Sequence, residues 1–235
     1  ANILQHRIGA THAGGMDLNA ACSGFLYSLS TADAFIRAGI AKTVLIAGAE
    51  VSTTAITWEA RDTAVLFGDG AGAVILRAEE GERGVLSNYL RSDGGGADVL
   101  IMPGGGSRIP FRGGTFDPND RILRMNGKEL FRRAVMGMGE AALKALEQTG
   151  LTGDDISLMI PHQANARIIQ AAAERINLPM EKVVINIDKV GNTIAASIPI
   201  ALDEAVCAGR VKDNDLLMFV GFGAGLTWGS SIVRW

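Results

Sequence analysis

The chain has 235 residues, 48% of them hydrophobic and 20% charged, with mean hydropathy +0.21, enough apolar material for a large buried core in one or two domains. That composition excludes disorder, collagen and coiled coil, and the longest apolar stretch, 193–202, is interrupted by Ser and Pro, so no segment reads as a transmembrane helix. A net charge of −3 and a pI near 5.7 argue against a general nucleic-acid binder.

Glycine is abundant, 30 residues or about 13% against a usual ~7%, without a three-residue period, which suits the tight turns and close packing of an α/β enzyme core. Two cysteines, Cys22 and Cys207, form neither a disulfide framework nor a CxxC pair. They point to a reducing, cytoplasmic compartment, and three histidines with two cysteines argue against structural zinc. The chain opens on Ala1 rather than Met, and residues 2–9 read as the last turns of a helix stopped by Gly9, so it is expected to begin inside a domain.

In chain order, a strand is expected over 16–21, then a helix from Ser23 to about Ala38, with Phe25, Leu26, Leu29, Ala32 and Ile36 at helical spacing and Gly39 as its stop. A buried strand over 42–49 follows, then a loop with a short helix over 50–67, a Gly-rich strand over 68–76 and a charged turn over 79–84. Strand signals restart at Val85 and give way to a Gly- and Pro-rich excursion over 92–118 that lacks periodicity. Next come a helix over 126–148 stopped by Gly150, a strand over 156–160, a helix over 165–176 and a strand over 183–187. A helix over 194–208 containing Pro199 and strands over 216–221 and 226–233 close the chain. Between Ile101 and Arg133 stand seven basic residues (Arg108, Arg112, Arg121, Arg124, Lys128, Arg132, Arg133) against Asp117, Asp120 and Glu129; this is either a solvated face or a dock for an anionic partner.

A weak internal repeat sets the junction 19–23 beside 186–193, and 68–72 (GDGAG) beside 221–225 (GFGAG), which implies two similar halves, 1–84 and 85–235, with Cys22 and Asn192 at matching helix starts. Cys22 lies at the first turn of an apolar helix, where unpaired N–H groups favour a thiolate; the alternative is a small buried core residue. His162, in PHQAN, follows a strand at the sheet edge where α/β folds present ligands, and Asn192 opens another helix, where on its own it would be only a cap. Together they supply a nucleophile and two polar donors.

NAACSGF around Cys22, HQAN at 162–165, GNTIAASIP at 191–199 and GFGAGLTWGS at 221–230 resemble the β-ketoacyl-acyl carrier protein synthase III family, initiating condensing enzymes of fatty acid synthesis. The resemblance covers essentially the whole chain. It implies the α/β thiolase-like fold, duplicated βαβαβαββ halves in five αβαβα layers, normally as a homodimer, with the beginning of the first half absent here. It further implies that Cys22 carries the acyl group and that His162 and Asn192 bind the malonyl thioester oxygen. In the same way the Cys22 and Ala224 N–H groups form an oxyanion hole, Arg61, Gly127, Asn165 and Phe222 contact CoA or pantetheine, and Arg167 docks acyl carrier protein. Acyl-CoA and malonyl-acyl carrier protein are then substrates, and no cofactor or metal is called for. Lys128 stands where some members have Asn. Cys207, in a helical segment, reads as core, so the second, basic cysteine of a thiolase has no counterpart. The GGG strings at 94–96 and 104–106 do not sit between a strand and a helix as dinucleotide binding requires. Two rivals stay open: a relative that loads Cys22 from another acyl- or aroyl-CoA, and a non-catalytic partner that binds carrier protein.

Overall fold

The computed structural model describes residues 1–111 and 117–235, without the side chain of Asp62. Arg112 of the basic stretch lies outside the described residues.

Helix α1 (Asn2–Arg7) is followed by an extended segment, a 3-10 turn at Ala21–Ser23 and helix α2 (Gly24–Arg37). Strand β1 (Thr43–Glu50), the short helix α3 (Arg61–Ala64) and strand β2 (Gly70–Arg77) complete this part, with β1 and β2 antiparallel from Thr43↔Arg77 to Glu50↔Gly70. Strand β3 (Gly84–Ser92) leads to β4 (Leu100–Ile101), inside the expected excursion, which pairs with β5 (Arg124–Met125) beyond its end. Helix α4 (Gly127–Thr149), strand β6 (Leu158–Pro161), helices α5 (Ala166–Arg175), α6 (Ile187–Val190) and α7 (Ser197–Cys207), and strands β7 (Leu216–Gly223) and β8 (Thr227–Arg234) follow.

The larger sheet has the order β3-β8-β7-β6, antiparallel except for the β6–β7 pair. Strand β7 is buried on both faces because its alternate residues enter two different cores. Met218 and Val220 join Met138, Ala142, Ile168 and Ile169 of α4 and α5. Leu217 and Phe219 join Phe25, Leu26 and Leu29 of α2, Ile198 and Leu202 of α7, and Ile46 of β1. Four layers result: helices α4 and α5, the large sheet, helices α2 and α7, and the β1–β2 sheet. These are four of the five layers of the expected αβαβα arrangement. None of the described helices covers the outer face of β1–β2, where Leu45 and Ile75 are exposed.

Helix ends follow their caps. The Asn126 side chain accepts the Glu129 N–H at the start of α4 at 3.2 Å, and Gly150 takes the left-handed conformation after its end, with φ 69°. Pro199 is harmless as the third residue of α7, where its missing N–H would have no partner within the helix.

Two expected strands are absent. Residues 16–20 are mostly exposed and pair with no strand among the described residues, and Ala21 already opens the 3-10 turn, so the composition of a strand is present without a ladder to complete it. Over 183–187 only one parallel bridge forms, Met159↔Val183, because α6 begins at Ile187.

The internal repeat also aligns differently from the expectation. Ala21 and Ile194 both adopt positive φ, 46° and 50°. Each donates its N–H to an Asn side chain two residues earlier, Asn19 at 3.1 Å and Asn192 at 2.8 Å, and each opens a three-residue 3-10 turn that runs into a long helix. Asn19 therefore matches Asn192, and Cys22 matches Ala195 rather than Asn192. Likewise GDGAG enters the second strand of its hairpin whereas GFGAG ends the first, so those strings are not equivalent.

Candidate active site

Cys22, His162 and Asn192 meet in one cavity of about 190 Å³ beside the core formed by α4, α5 and β7, lined also by Leu100, Gly127, Phe131, Asn165, Phe222 and Gly223. Three different junctions deliver the three side chains.

The Cys22 turn is pinned to β8 from both sides: Ser23 Oγ donates to the Thr227 carbonyl at 3.0 Å, and Thr227 Oγ1 donates to the Ala20 carbonyl at 2.9 Å. Against it lies the end of β7, so close that a Cβ on Gly223 would stand 2.7 Å from Cys22 N and 2.9 Å from its Cβ. The positive φ at Ala21, unfavourable for a residue with a Cβ, is held by these contacts. The N–H groups of Cys22 and Ala224 both face the thiol and pull its pKa down, in keeping with a helix start. Burial outweighs them, the Glu50 carboxylate at the end of β1 adds to it, and the thiol is pushed up to about 12. The resting group is thus a neutral thiol, contrary to the thiolate that helix position alone suggests.

His162 follows Pro161 at the end of β6, its N–H bonded to the Val220 carbonyl at 2.8 Å. The ring is 1% exposed, and burial pushes its pKa down to about 4, so it is neutral near pH 7. Nδ1 lies 2.6 Å from Ser197 Oγ, while Nε2 is buried and hydrogen-bonds to none of the described residues. Behind it the fully buried Gln163 donates to the Pro161 and Val184 carbonyls and accepts the Asn186 N–H at 3.0 Å, tying the loop after β6 to residues 184–186.

Asn192 is held by the first half of the chain: its N–H donates to the Leu66 carbonyl at 2.8 Å and its carbonyl accepts the Gly68 N–H at 3.0 Å. Gly68 has no room for a side chain here, since a Cβ would stand 2.1 Å from the Val190 carbonyl oxygen. Asn192 Oδ1 is taken by the Ile194 N–H, which leaves the Nδ2 hydrogens for the cavity.

Of the other expected residues, Gly127, Asn165 and Phe222 line the cavity, Asn165 while also capping α5 through the Arg167 N–H at 2.9 Å. Phe222 stacks on Trp228 with ring centroids 6.1 Å apart. Arg61 and Arg167 are exposed and lie outside the cavity lining. In the basic stretch, Glu129 is paired with Arg132 and Arg133, and Asp93 with Arg133; Glu129 is held down at about 2 by its hydrogen bonds to the two arginines. Cys207 is exposed, contrary to its expected place in the core. Ser197, Gln163 and Glu50 were not picked out by motif reading. Their signal is tertiary, although Gly221 and Gly223 in GFGAG already announced a close approach of backbone.

No helix among the described residues is long and apolar enough to cross a membrane. No three His, Cys, Asp or Glu side chains among the described residues gather as a metal-ligand group.

The layers and the cavity define a thiolase-like α/β protein in which a buried thiol faces an imidazole and a carboxamide. Two family models match, 3-oxoacyl-[acyl-carrier-protein (ACP)] synthase III over residues 16–94 and its C-terminal model over 146–235. The chain is similar to the beta-ketoacyl-[acyl-carrier-protein] synthase III of Caldanaerobacter subterraneus subsp. tengcongensis, 48% identical over 235 residues, which are 100% of this chain and 71% of that protein. The solved synthase III of Thermus thermophilus superposes with a TM-score of 0.92 at 47% identity, covering 100% of this chain and 72% of that one. A priming beta-ketosynthase of a polyketide biosynthetic pathway superposes at 0.89 and 37%, covering 99% and 69%. The chain belongs to the β-ketoacyl-acyl carrier protein synthase III family.

Proposed function

We propose that this protein is an acyltransferase that carries out the decarboxylative Claisen condensation of an acyl-CoA starter, acetyl-CoA in the simplest case, with malonyl-acyl carrier protein, the initiating step of fatty acid synthesis. The observation that carries the reading is the convergence of Cys22, His162 and Asn192 on one cavity in which His162 Nε2 has no hydrogen-bond partner among the described residues.

Cys22 Sγ attacks the acyl-CoA carbonyl, and the Cys22 and Ala224 N–H groups stabilise the oxyanion, each such donor being worth about 3–4 kcal/mol. The thiol proton leaves with CoA as CoASH, and because the thiol is neutral at rest, proton loss accompanies attack. Malonyl-acyl carrier protein then loses CO2. The electron pair of the breaking C–C bond becomes an enolate whose oxygen is held by His162 Nε2–H and Asn192 Nδ2. The enolate carbon attacks the Cys22 thioester, and the Cys22 thiolate departs and is reprotonated. Two neutral donors suffice because decarboxylation, not C–H deprotonation, generates the carbanion.

Gly127, Asn165 and Phe222 serve the pantetheine arm, Arg61 the CoA nucleotide and Arg167 the acidic carrier protein, with no cofactor required. The division into a nucleophile-bearing half, 1–84, and a donor-bearing half, 85–235, belongs to the same reading, as do a homodimer and a cytoplasmic location, where CoA and carrier protein are available. The apolar lining by Leu100, Met125, Leu130, Ala134, Met138 and Ile168 favours as a second reading a starter longer than acetyl.

The test is incubation with radiolabelled acyl-CoA starters and malonyl-acyl carrier protein, resolving the products by conformation-sensitive gel. A 3-oxoacyl-acyl carrier protein formed fastest from acetyl-CoA supports the first reading, and one formed only from longer starters supports the second. No condensation product from any starter overturns both.

A further inference from the structure

Ser197 is the first residue of α7 and is 1% exposed. Its Oγ stands 2.6 Å from His162 Nδ1, 2.9 Å from the Ile194 carbonyl oxygen and 3.4 Å from the Gln163 N–H. A hydroxyl has one hydrogen and two lone pairs, so Nδ1 and the Ile194 carbonyl compete for that hydrogen. If it points at Ile194, the ring proton resides on Nδ1 and Nε2 presents a lone pair to the cavity. If it points at Nδ1, the neutral ring carries its proton on Nε2 and presents a donor. The identity of one buried hydrogen bond thereby decides what the substrate meets.

We propose that Ser197 is a positioning residue for His162, donating its hydroxyl hydrogen to Nδ1 and so holding the neutral imidazole in the Nε2–H tautomer. The inference deepens the functional reading above and rests on it for its catalytic consequence, since the enolate oxygen needs a donor. Three observations carry it. Oγ and Nδ1 are a hydrogen-bonded pair at 2.6 Å, so the tautomer of the ring and the direction of this bond are set together. Nε2 has no hydrogen-bond partner among the described residues, and His162 lines the cavity. Finally, the equivalent position in the first half of the repeat, at the start of α2, is Gly24, so a hydroxyl is not a requirement of this helix start. It occurs in the half whose helix faces the histidine. A plain back-bond from Ser to the carbonyl three residues earlier would equally close the turn, but would make no demand on the ring.

The experiment is a long-range 15N–1H spectrum of the histidine side chains in the wild-type protein and in Ser197→Ala, with His162 assigned by its loss in His162→Gln. Acetylation of Cys22 by acetyl-CoA and decarboxylation of malonyl-acyl carrier protein are measured separately in the same proteins. The wild type is expected to show His162 with a protonated Nε2 and a bare Nδ1. In Ser197→Ala the pattern shifts toward the other tautomer, decarboxylation falls roughly 10- to 100-fold, and acetylation stays within about threefold. Ser197→Cys, a weaker donor of similar size, falls between the two. A wild-type spectrum with the proton on Nδ1, or identical ring spectra in wild type and Ser197→Ala, overturns the proposal. The wild-type spectrum decides the matter even if Ser197→Ala does not fold. If the tautomer shifts as expected while the wild type itself leaves malonyl-acyl carrier protein intact, Ser197 keeps its positioning role and the functional reading fails instead.

Discussion

Replacing Gly223 by Ala adds one methyl group at the point where β7 meets the Cys22 turn. The new Cβ would lie 2.7 Å from Cys22 N, 2.9 Å from Cys22 Cβ and 3.1 Å from Cys22 Cα. Two of these neighbours are backbone, so no side-chain rotation relieves the clash. Moving the closest contact from 2.7 Å out to the 3.4 Å of ordinary van der Waals packing requires a displacement of about 0.7 Å. The turn is pinned to β8 through Ser23 and Thr227, so the displacement is shared between the nucleophile and the Ala224 N–H beside it. Overpacking of this kind costs about 1–3 kcal/mol of stability. Misplacing a nucleophile and its oxyanion donors by somewhat under 1 Å costs on the order of 100-fold in rate. Gly223→Ala should therefore remain folded, with a lowered melting temperature, and transfer acetyl from acetyl-CoA to Cys22 about 100-fold more slowly in a quenched-flow assay. Acylation within twofold of wild type would refute the claim that this glycine sets the position of the nucleophile.

Four further predictions follow from the same geometry. Asn192→Ala should form the acyl-enzyme at close to the wild-type rate and fail to decarboxylate malonyl-acyl carrier protein; condensation at the parental rate would remove the enolate role. With the Cys22 thiol pushed up to about 12, alkylation by iodoacetamide should climb about tenfold per pH unit through pH 9 without levelling. A plateau near pH 8 would contradict the dominance of burial. His162 falls from 6.5 to about 4 in the fold, so between those values the unfolded chain binds a proton that the native state does not. Its contribution is full above pH 6.5 and is lost as pH falls toward 4, about 3 kcal/mol in all, a loss that urea titrations should find missing from His162→Gln. Gln163→Ala leaves the Asn186 N–H and two carbonyls without their partner, and should lower stability by about 2–4 kcal/mol and the melting temperature by roughly 5–15 °C.

The long elements and their stops were legible in the sequence, because Asn126 and Gly150 bracket α4 and an apolar run marks β1, although that strand is buried on one face only and not throughout as expected. Segments 16–21 and 183–187 were not, because a strand needs a neighbour to pair with and composition does not say whether one is there. Motif positions put Cys22, His162 and Asn192 on three junctions, and the three junctions do open on one cavity. What spacing could not supply was the alignment of the repeat. That became readable only from the positive φ of Ala21 and Ile194 and the Asn side chains that cap them. The ionisation of Cys22 was likewise out of reach, since position at a helix start indicates one direction and burial beside Glu50 acts in the other. The exposed Cys207 shows the reverse limit, because an apolar-looking helical context does not say which face the residue takes.

The most direct measurement is peptide mass spectrometry of the protein after brief exposure to acetyl-CoA, with and without a chase of malonyl-acyl carrier protein. Acetyl is expected on the Cys22 peptide, with its disappearance in the chase and acetoacetyl-acyl carrier protein in its place. An unmodified Cys22 peptide after exposure to acetyl-CoA and longer acyl-CoA starters alike, or an acetyl group that survives the chase, would contradict the proposed function.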